Sequence, residues 1–219
     1  MRSSRIRMTM SKQVKICGMT READIEHALE CGADYIGMIL YPKSPRGISP
    51  ERAEALLKVI PEGKGVAVDV NTGTDDLMRY QDLGFGNFQI HVDYSVGFPS
   101  LAAWSGMVGK ERLWLVPKIP PEKEFPQVVL EFADTIMIDT YSKKAHGGTG
   151  EVGDWDRFNY WATLYSHKMW VLAGGLNPDN IRMAADNTEA DVLDLSSGVE
   201  AEPGIKDLAK ITALFEALK

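Results

Sequence analysis

Eight short apolar segments alternate with stretches of helical periodicity, and the last two of them end in small residues just before a helix opens. These observations predict an α/β fold, a closed parallel (β/α)8 barrel, the TIM barrel, in a single domain. At 219 residues the chain can bury a substantial core, and no low-complexity linker divides it.

The strands are expected at residues 14–17, 35–40, 65–70, 87–91, 113–117, 135–139, 169–173 and 192–195. Helices are expected at 21–31, 50–59, 75–83, 155–165, 178–187 and 205–218. Pro50 and Pro178 suit the first turn of a helix, each preceded by a cap-competent residue, Ser49 and Asn177. Residues 92–109 are rich in Gly and Ser with weak helical periodicity, and the four prolines in 117–126 require a short fifth helix. Residues 1–12 open basic and without an apolar core; they are read as a disordered or extra N-terminal arm, with the barrel at 13–219.

The formal net charge of −7 argues against a nucleic-acid binder or an anionic-membrane binder. No apolar run reaches the roughly 20 residues of a membrane span. Two cysteines, Cys17 and Cys31, exclude a disulfide framework and a cysteine-rich zinc site, and make a reducing cytoplasm the expected location. The histidines show no metal-ligand spacing, so no metal is expected.

Functional residues should lie where strands end, because the C-terminal rim of such a barrel carries its site. Gly174, Gly175, Ser197 and Gly198 follow strands 7 and 8, and their backbone N–H groups form a candidate phosphate grip. Turn and cap duties alone would explain each segment separately. Cys17 closes strand 1 as a buried hydrophobe or, among positive dipoles, as a thiolate base. Asp139 ends strand 6 as a loop cap or as a proton donor whose pKa partial burial would raise. The glycine-rich loop 142–150 that follows suits a mobile cover or a phosphate contact. Arg46, in the stiff loop Tyr41-Pro-Lys-Ser-Pro-Arg46, suits a bidentate grip on a carboxylate as well as a solvated role. His91 is a pocket or a rim histidine. Asp194 shares a strand face with Ser196, as Lys15 does with Cys17, and a Lys15–acid pair that only stabilises the barrel is the preferred reading of that lysine.

Taken in order, Val14-Lys-Ile-Cys-Gly-Met19, Tyr41-Pro-Lys-Ser-Pro-Arg46, Gln89-Ile-His91, Asp139-Thr140, Gly147-Gly-Thr-Gly150, Asp154-Trp155, Ala173-Gly-Gly-Leu-Asn-Pro178 and Asp194-Leu-Ser-Ser-Gly-Val-Glu200 resemble phosphoribosylanthranilate isomerase. The resemblance runs from Val14 to Asp207. It implies a cytoplasmic barrel enzyme of tryptophan biosynthesis, monomer or homodimer, that performs an Amadori rearrangement of a small phosphorylated substrate without a cofactor. It implies Asp139 as acid, Cys17 as base, Arg46 on the anthranilate carboxylate, Gly175, Ser197 and Gly198 on the phosphate, and His91 and Asp194 as further substrate contacts.

The related isomerase of histidine biosynthesis uses an aspartate on strand 1, so Cys17 speaks against it. A barrel that binds a sugar phosphate without turnover would need only the phosphate grip, not Cys17, Asp139 and Arg46 together. An aldolase would need a Schiff-base lysine, for which only Lys15 and Lys118 come into question. Val92, Gly47, Gly153 and the strand 5 ending Val116-Pro-Lys-Ile-Pro120 depart from the family pattern, and Val92 is expected to change how the fourth loop approaches the ligand.

Overall fold

The computed structural model describes residues 12–139 and 154–219. Strands β1 (Gln13–Cys17), β2 (Tyr35–Ile39), β3 (Gly65–Val70), β4 (Asn87–Asp93), β5 (Leu113–Lys118), β6 (Thr135–Asp139), β7 (Met169–Ala173) and β8 (Val192–Leu195) close into a parallel barrel in chain order. Closure is made by β1 on β8, with Gln13 opposite Val192 and Lys15 opposite Asp194. The predicted TIM barrel is therefore what the chain forms.

Alternation along each strand sorts the apolar residues into two cores. Cys17, Val66, Val68, Trp114, Val116, Met137, Val171 and Val192 fill the barrel interior. The intervening residues, such as Ile16, Ile36, Phe88, Leu115, Ile136 and Leu193, pack in the larger shell beneath the helices. Val92 belongs to that shell, buried and facing away from the barrel axis. Its side chain therefore does not face the ligand side of the fourth loop, where His91 and Asp93 are its inward-facing neighbours.

The helices are α1 (Glu22–Cys31), α2 (Pro50–Leu57), α3 (Thr74–Asp82), α4 (Phe98–Val108), α5 (Trp155–Leu164), α6 (Ile181–Asn187) and α7 (Leu208–Ala217). Ser49 accepts from Arg52 N and Asp154 from Arg157 N, so α2 and α5 carry side-chain caps. No helix among the described residues is long and apolar enough to cross a membrane.

One element that the weak periodicity of 92–109 left open is filled in, and two local expectations are corrected. Residues 98–108 form a full helix whose Leu101, Trp104 and Val108 are buried at helical spacing; its outer face carries Ala, Ser and Gly rather than charge, which hid the amphipathic contrast. Pro178 does not open α6: Asn177 Oδ1 accepts from Asp179 N at 2.9 Å, an Asx turn that delays the helix to Ile181. Residues 205–206 are not helical either; β10 (Ile205–Lys206) pairs antiparallel with β9 (Glu200–Glu202), and α7 starts after Asp207, which caps Ala209 N and Lys210 N. The fifth crossover holds only a 3-10 turn, Gln127–Glu131, as the prolines required.

Lys12, the last residue assigned to the arm, donates to the Thr188 and Ala190 carbonyls at 3.0 and 2.6 Å. The rest of the arm, the glycine-rich loop 142–150 and Gly153 lie outside the described residues.

Candidate active site

Cys17 and Lys15 occupy successive inward positions of β1. The Lys15 ammonium, fully buried, bonds Asp194 Oδ1 at 2.7 Å and also reaches the Cys17 thiol. Gly37, the register partner of Cys17, makes room for this: a Cβ there would stand 2.9 Å from Cys17 Sγ and 3.0 Å from Lys15 Nζ. Burial pushes the Cys17 thiol up, Lys15 and then Lys206 pull it back, and Asp194 adds to the rise. The thiolate preference expected from rim dipoles is thus outweighed by desolvation. Asp194 is likewise raised by burial, with Lys15 opposing it and Asp139 reinforcing it.

Asp139 pairs in register with Ala173, and Ala173 with Asp194, so the two carboxylates sit at one level of the barrel on either side of a small residue. Asp139 is exposed, where partial burial was expected. His91 lies on β4 with its Nε2 2.9 Å from Gln89 Nε2. An amide nitrogen can only donate, so the imidazole nitrogen accepts and the ring is neutral. Burial first, and the Lys15 charge second, lower its pKa to about 4.

Arg46 does not stand in solvent. Its Nε and Nη2 both bond the Glu200 carboxylate, at 2.7 to 3.0 Å, with Glu200 buried. Gly47 beside it is required by loop closure, since a Cβ there would lie 2.6 Å from the Tyr41 carbonyl oxygen.

The four small residues after β7 and β8 come together. Gly174 and Gly175 both have positive φ, at 101° and 69°, a conformation that favours glycine. Ser197 and Gly198 open a 3-10 turn, Ser197–Val199, whose first N–H groups have no partner within the turn. A Cβ at Gly198 would lie 1.9 Å from Leu176 O, so the two loops abut. The arrangement offers one anion backbone N–H donors from two consecutive βα units. Ser196 Oγ, buried and without a hydrogen-bond partner among the described residues, lies 3.1 Å from where a Gly18 Cβ would stand. Among the described residues no group of three or more His, Cys, Asp or Glu is placed to hold a metal ion.

Residues 14–217 match the family model described as N-(5'phosphoribosyl)anthranilate (PRA) isomerase. The chain belongs to the phosphoribosylanthranilate isomerase family. Among its relatives, the N-(5'-phosphoribosyl)anthranilate isomerase of Aquifex aeolicus is 37% identical over 214 residues, covering 94% of this chain and 98% of that protein. The phosphoribosyl anthranilate isomerase of Thermotoga maritima superposes with a TM-score of 0.77 at 30% identity, covering 94% of this chain and 98% of that one. A phosphoribosyl anthranilate isomerase solved in complex with reduced 1-(o-carboxyphenylamino)-1-deoxyribulose 5-phosphate gives 0.73 at 28% identity, over the same shares.

In this family member the structure brings Cys17, Asp139, Asp194, His91 and Arg46 to one rim, together with the glycine and serine cradle. Sequence reasoning missed Glu200 and Lys206 as site residues. The signal was the Pro203-Gly204 dipeptide between them, a turn signature that breaks the helix assigned from Ile205.

Proposed function

We propose that this chain converts N-(5-phosphoribosyl)anthranilate into 1-(2-carboxyphenylamino)-1-deoxyribulose 5-phosphate, an Amadori rearrangement of tryptophan biosynthesis, and that it does so in the cytoplasm. The observation that carries the reading is Cys17 at the inner C-terminal end of β1 with the Lys15 ammonium against its thiol, facing a rim that also holds Asp139.

The reaction is an internal redox exchange carried by protons, with no atom gained or lost. Asp139 donates a proton to the furanose ring oxygen, the C1′–O bond breaks, and the nitrogen lone pair closes a protonated Schiff base. The Cys17 thiolate then takes the C2′ proton and the electrons of that bond move toward nitrogen, giving an enolamine. Tautomerisation to the ketone, with a proton added at C1′ and one lost from the C2′ hydroxyl, completes the product. Lys15 stabilises the thiolate when it forms. Gly174, Gly175, Ser197 and Gly198 hold the phosphate, Arg46 meets the anthranilate carboxylate, and Asp194 and neutral His91 contact the sugar.

The test is the decay of substrate fluorescence, with N-(5-phosphoribosyl)anthranilate generated in place from anthranilate and phosphoribosyl pyrophosphate. Fast decay with the wild type that disappears in Cys17→Ala supports both activity and base. No decay above blank with the wild type overturns the reading in favour of a barrel that binds a sugar phosphate without turnover.

A further inference from the structure

Glu200 and Lys206 take part in no step above, yet both are buried in the rim in a network of charged hydrogen bonds. They flank the β9–β10 hairpin, whose turn is Pro203-Gly204. The Glu200 carboxylate accepts from Arg46 Nε and Nη2, from Lys206 Nζ at 2.9 Å and from Gly204 N at 3.2 Å. Lys206 Nζ also donates to the Ser196 carbonyl at 3.2 Å, and its backbone N–H to Asp24 Oδ2 at 3.1 Å, which ties the hairpin to the loop after β8 and to α1. On its other side the Arg46 stem crosses Gly18, where a Cβ would meet Arg46 Cδ at 2.8 Å.

A guanidinium held through Nε and Nη2 keeps its Nη1 edge, and the outer hydrogen of Nη2, for a second oxyanion. Glu200 alone would repel such an anion. Lys206 removes that penalty, because the Arg46–Glu200–Lys206 cluster carries a net charge of +1 with both lysine and glutamate buried. Fixing the arginine beforehand also spares the ligand the cost of ordering a long side chain.

We propose that Glu200, neutralised by Lys206, is the positioning residue that turns the free edge of Arg46 toward the ligand's carboxylate. The hairpin 200–206 thereby sets the preference for an aromatic amine that bears an ortho carboxylate. This rests on the reading in which Arg46 meets that carboxylate.

Two ligands test it: reduced 1-(o-carboxyphenylamino)-1-deoxyribulose 5-phosphate, and the same compound made from aniline, which lacks the carboxylate. The wild type binds the first more tightly. Glu200→Gln, an isosteric change, is expected to cut that preference about 10- to 100-fold while the aniline compound keeps its affinity within about twofold. Glu200→Asp restores part of the preference. An unchanged preference in Glu200→Gln overturns the role, as does an equal loss for both ligands, which marks a general structural effect. Tighter binding of the carboxylate compound overturns it too, since Glu200 would then be a competitor. If the wild type binds both ligands equally, the reading of Arg46 fails first and takes this inference with it.

Discussion

Lys15 and Asp194 are register partners on β1 and β8, the two strands that close the barrel, and their charges meet at 2.7 Å with both side chains buried. The seam of the fold is thus also the electrostatic centre of the site. The same ammonium opposes the rise of the Cys17 and Asp194 pKa values and helps hold His91 neutral.

Lys15→Met leaves the Asp194 carboxylate buried without its cation. Unfolding by denaturant at pH 7 should show a loss of about 3–5 kcal/mol, the usual cost of breaking a buried pair from one side. The deficit should shrink as pH falls, because burial already favours the neutral form of Asp194 and a native state that binds a proton more readily than the unfolded chain gains stability in acid. A variant as stable as the wild type at pH 7 would count against any role of the pair in holding the seam.

Cys17→Ala should lower turnover by at least about a hundredfold, the lower end of what a positioned base contributes, with phosphate affinity retained. Because burial pushes the thiol up, kcat/KM should climb with pH through neutrality as the thiolate fraction grows. A profile flat between pH 6 and about 8.5, the usual thiol value, would assign the base elsewhere.

Asp139→Asn keeps the shape and removes the proton. Steady-state kinetics should show kcat falling by about two orders of magnitude or more with KM little changed. An unaffected kcat would move the acid to another group.

The strand ends were legible because alternation and chain order alone place them: Cys17, His91, Asp139 and Asp194 all sit at the rim the sequence assigns. The pairing of Lys15 with an acid was legible for the same reason, since a lysine facing a barrel interior must find a counter-charge. What was not legible depends on packing between loops distant in sequence. Nothing local in Tyr41-Pro-Lys-Ser-Pro-Arg46 says that its arginine meets a glutamate 154 residues later. The hairpin that delivers that glutamate was hidden because Ile205, Leu208 and Ile211 fit a helical period across the break at Asp207. The burial of Cys17 counts against its thiolate, a balance that strand position alone does not reveal.

His91 should make the fold acid-sensitive. Its folded pKa of about 4 lies below the ordinary 6.5, so between these values the unfolded chain takes up a proton that the native ring refuses. Stability is therefore lost as pH falls from 6.5 toward 4, by an amount on the order of 3 kcal/mol. Urea unfolding of wild type and His91→Asn at pH 7.5, 6 and 4.5 checks it: the wild-type slope should exceed that of the variant, and parallel slopes would mean that the imidazole titrates normally.

Gly198 joins the two loops of the proposed phosphate cradle, and a methyl group there would press into the Leu176 carbonyl, 1.9 Å away. Neither partner is a flexible side-chain end, so the backbone must separate. Gly198→Ala should cost about 1–3 kcal/mol of stability by overpacking and should weaken binding of inorganic phosphate. Gly106→Ala is the matched control: it lies inside α4 with open space around it, and the same methyl should add roughly 0.5–1 kcal/mol. Phosphate titration of both variants separates the two roles of Gly198. If Gly198→Ala is destabilised yet binds phosphate as the wild type does, the glycine serves packing alone and the anion is held elsewhere on the rim.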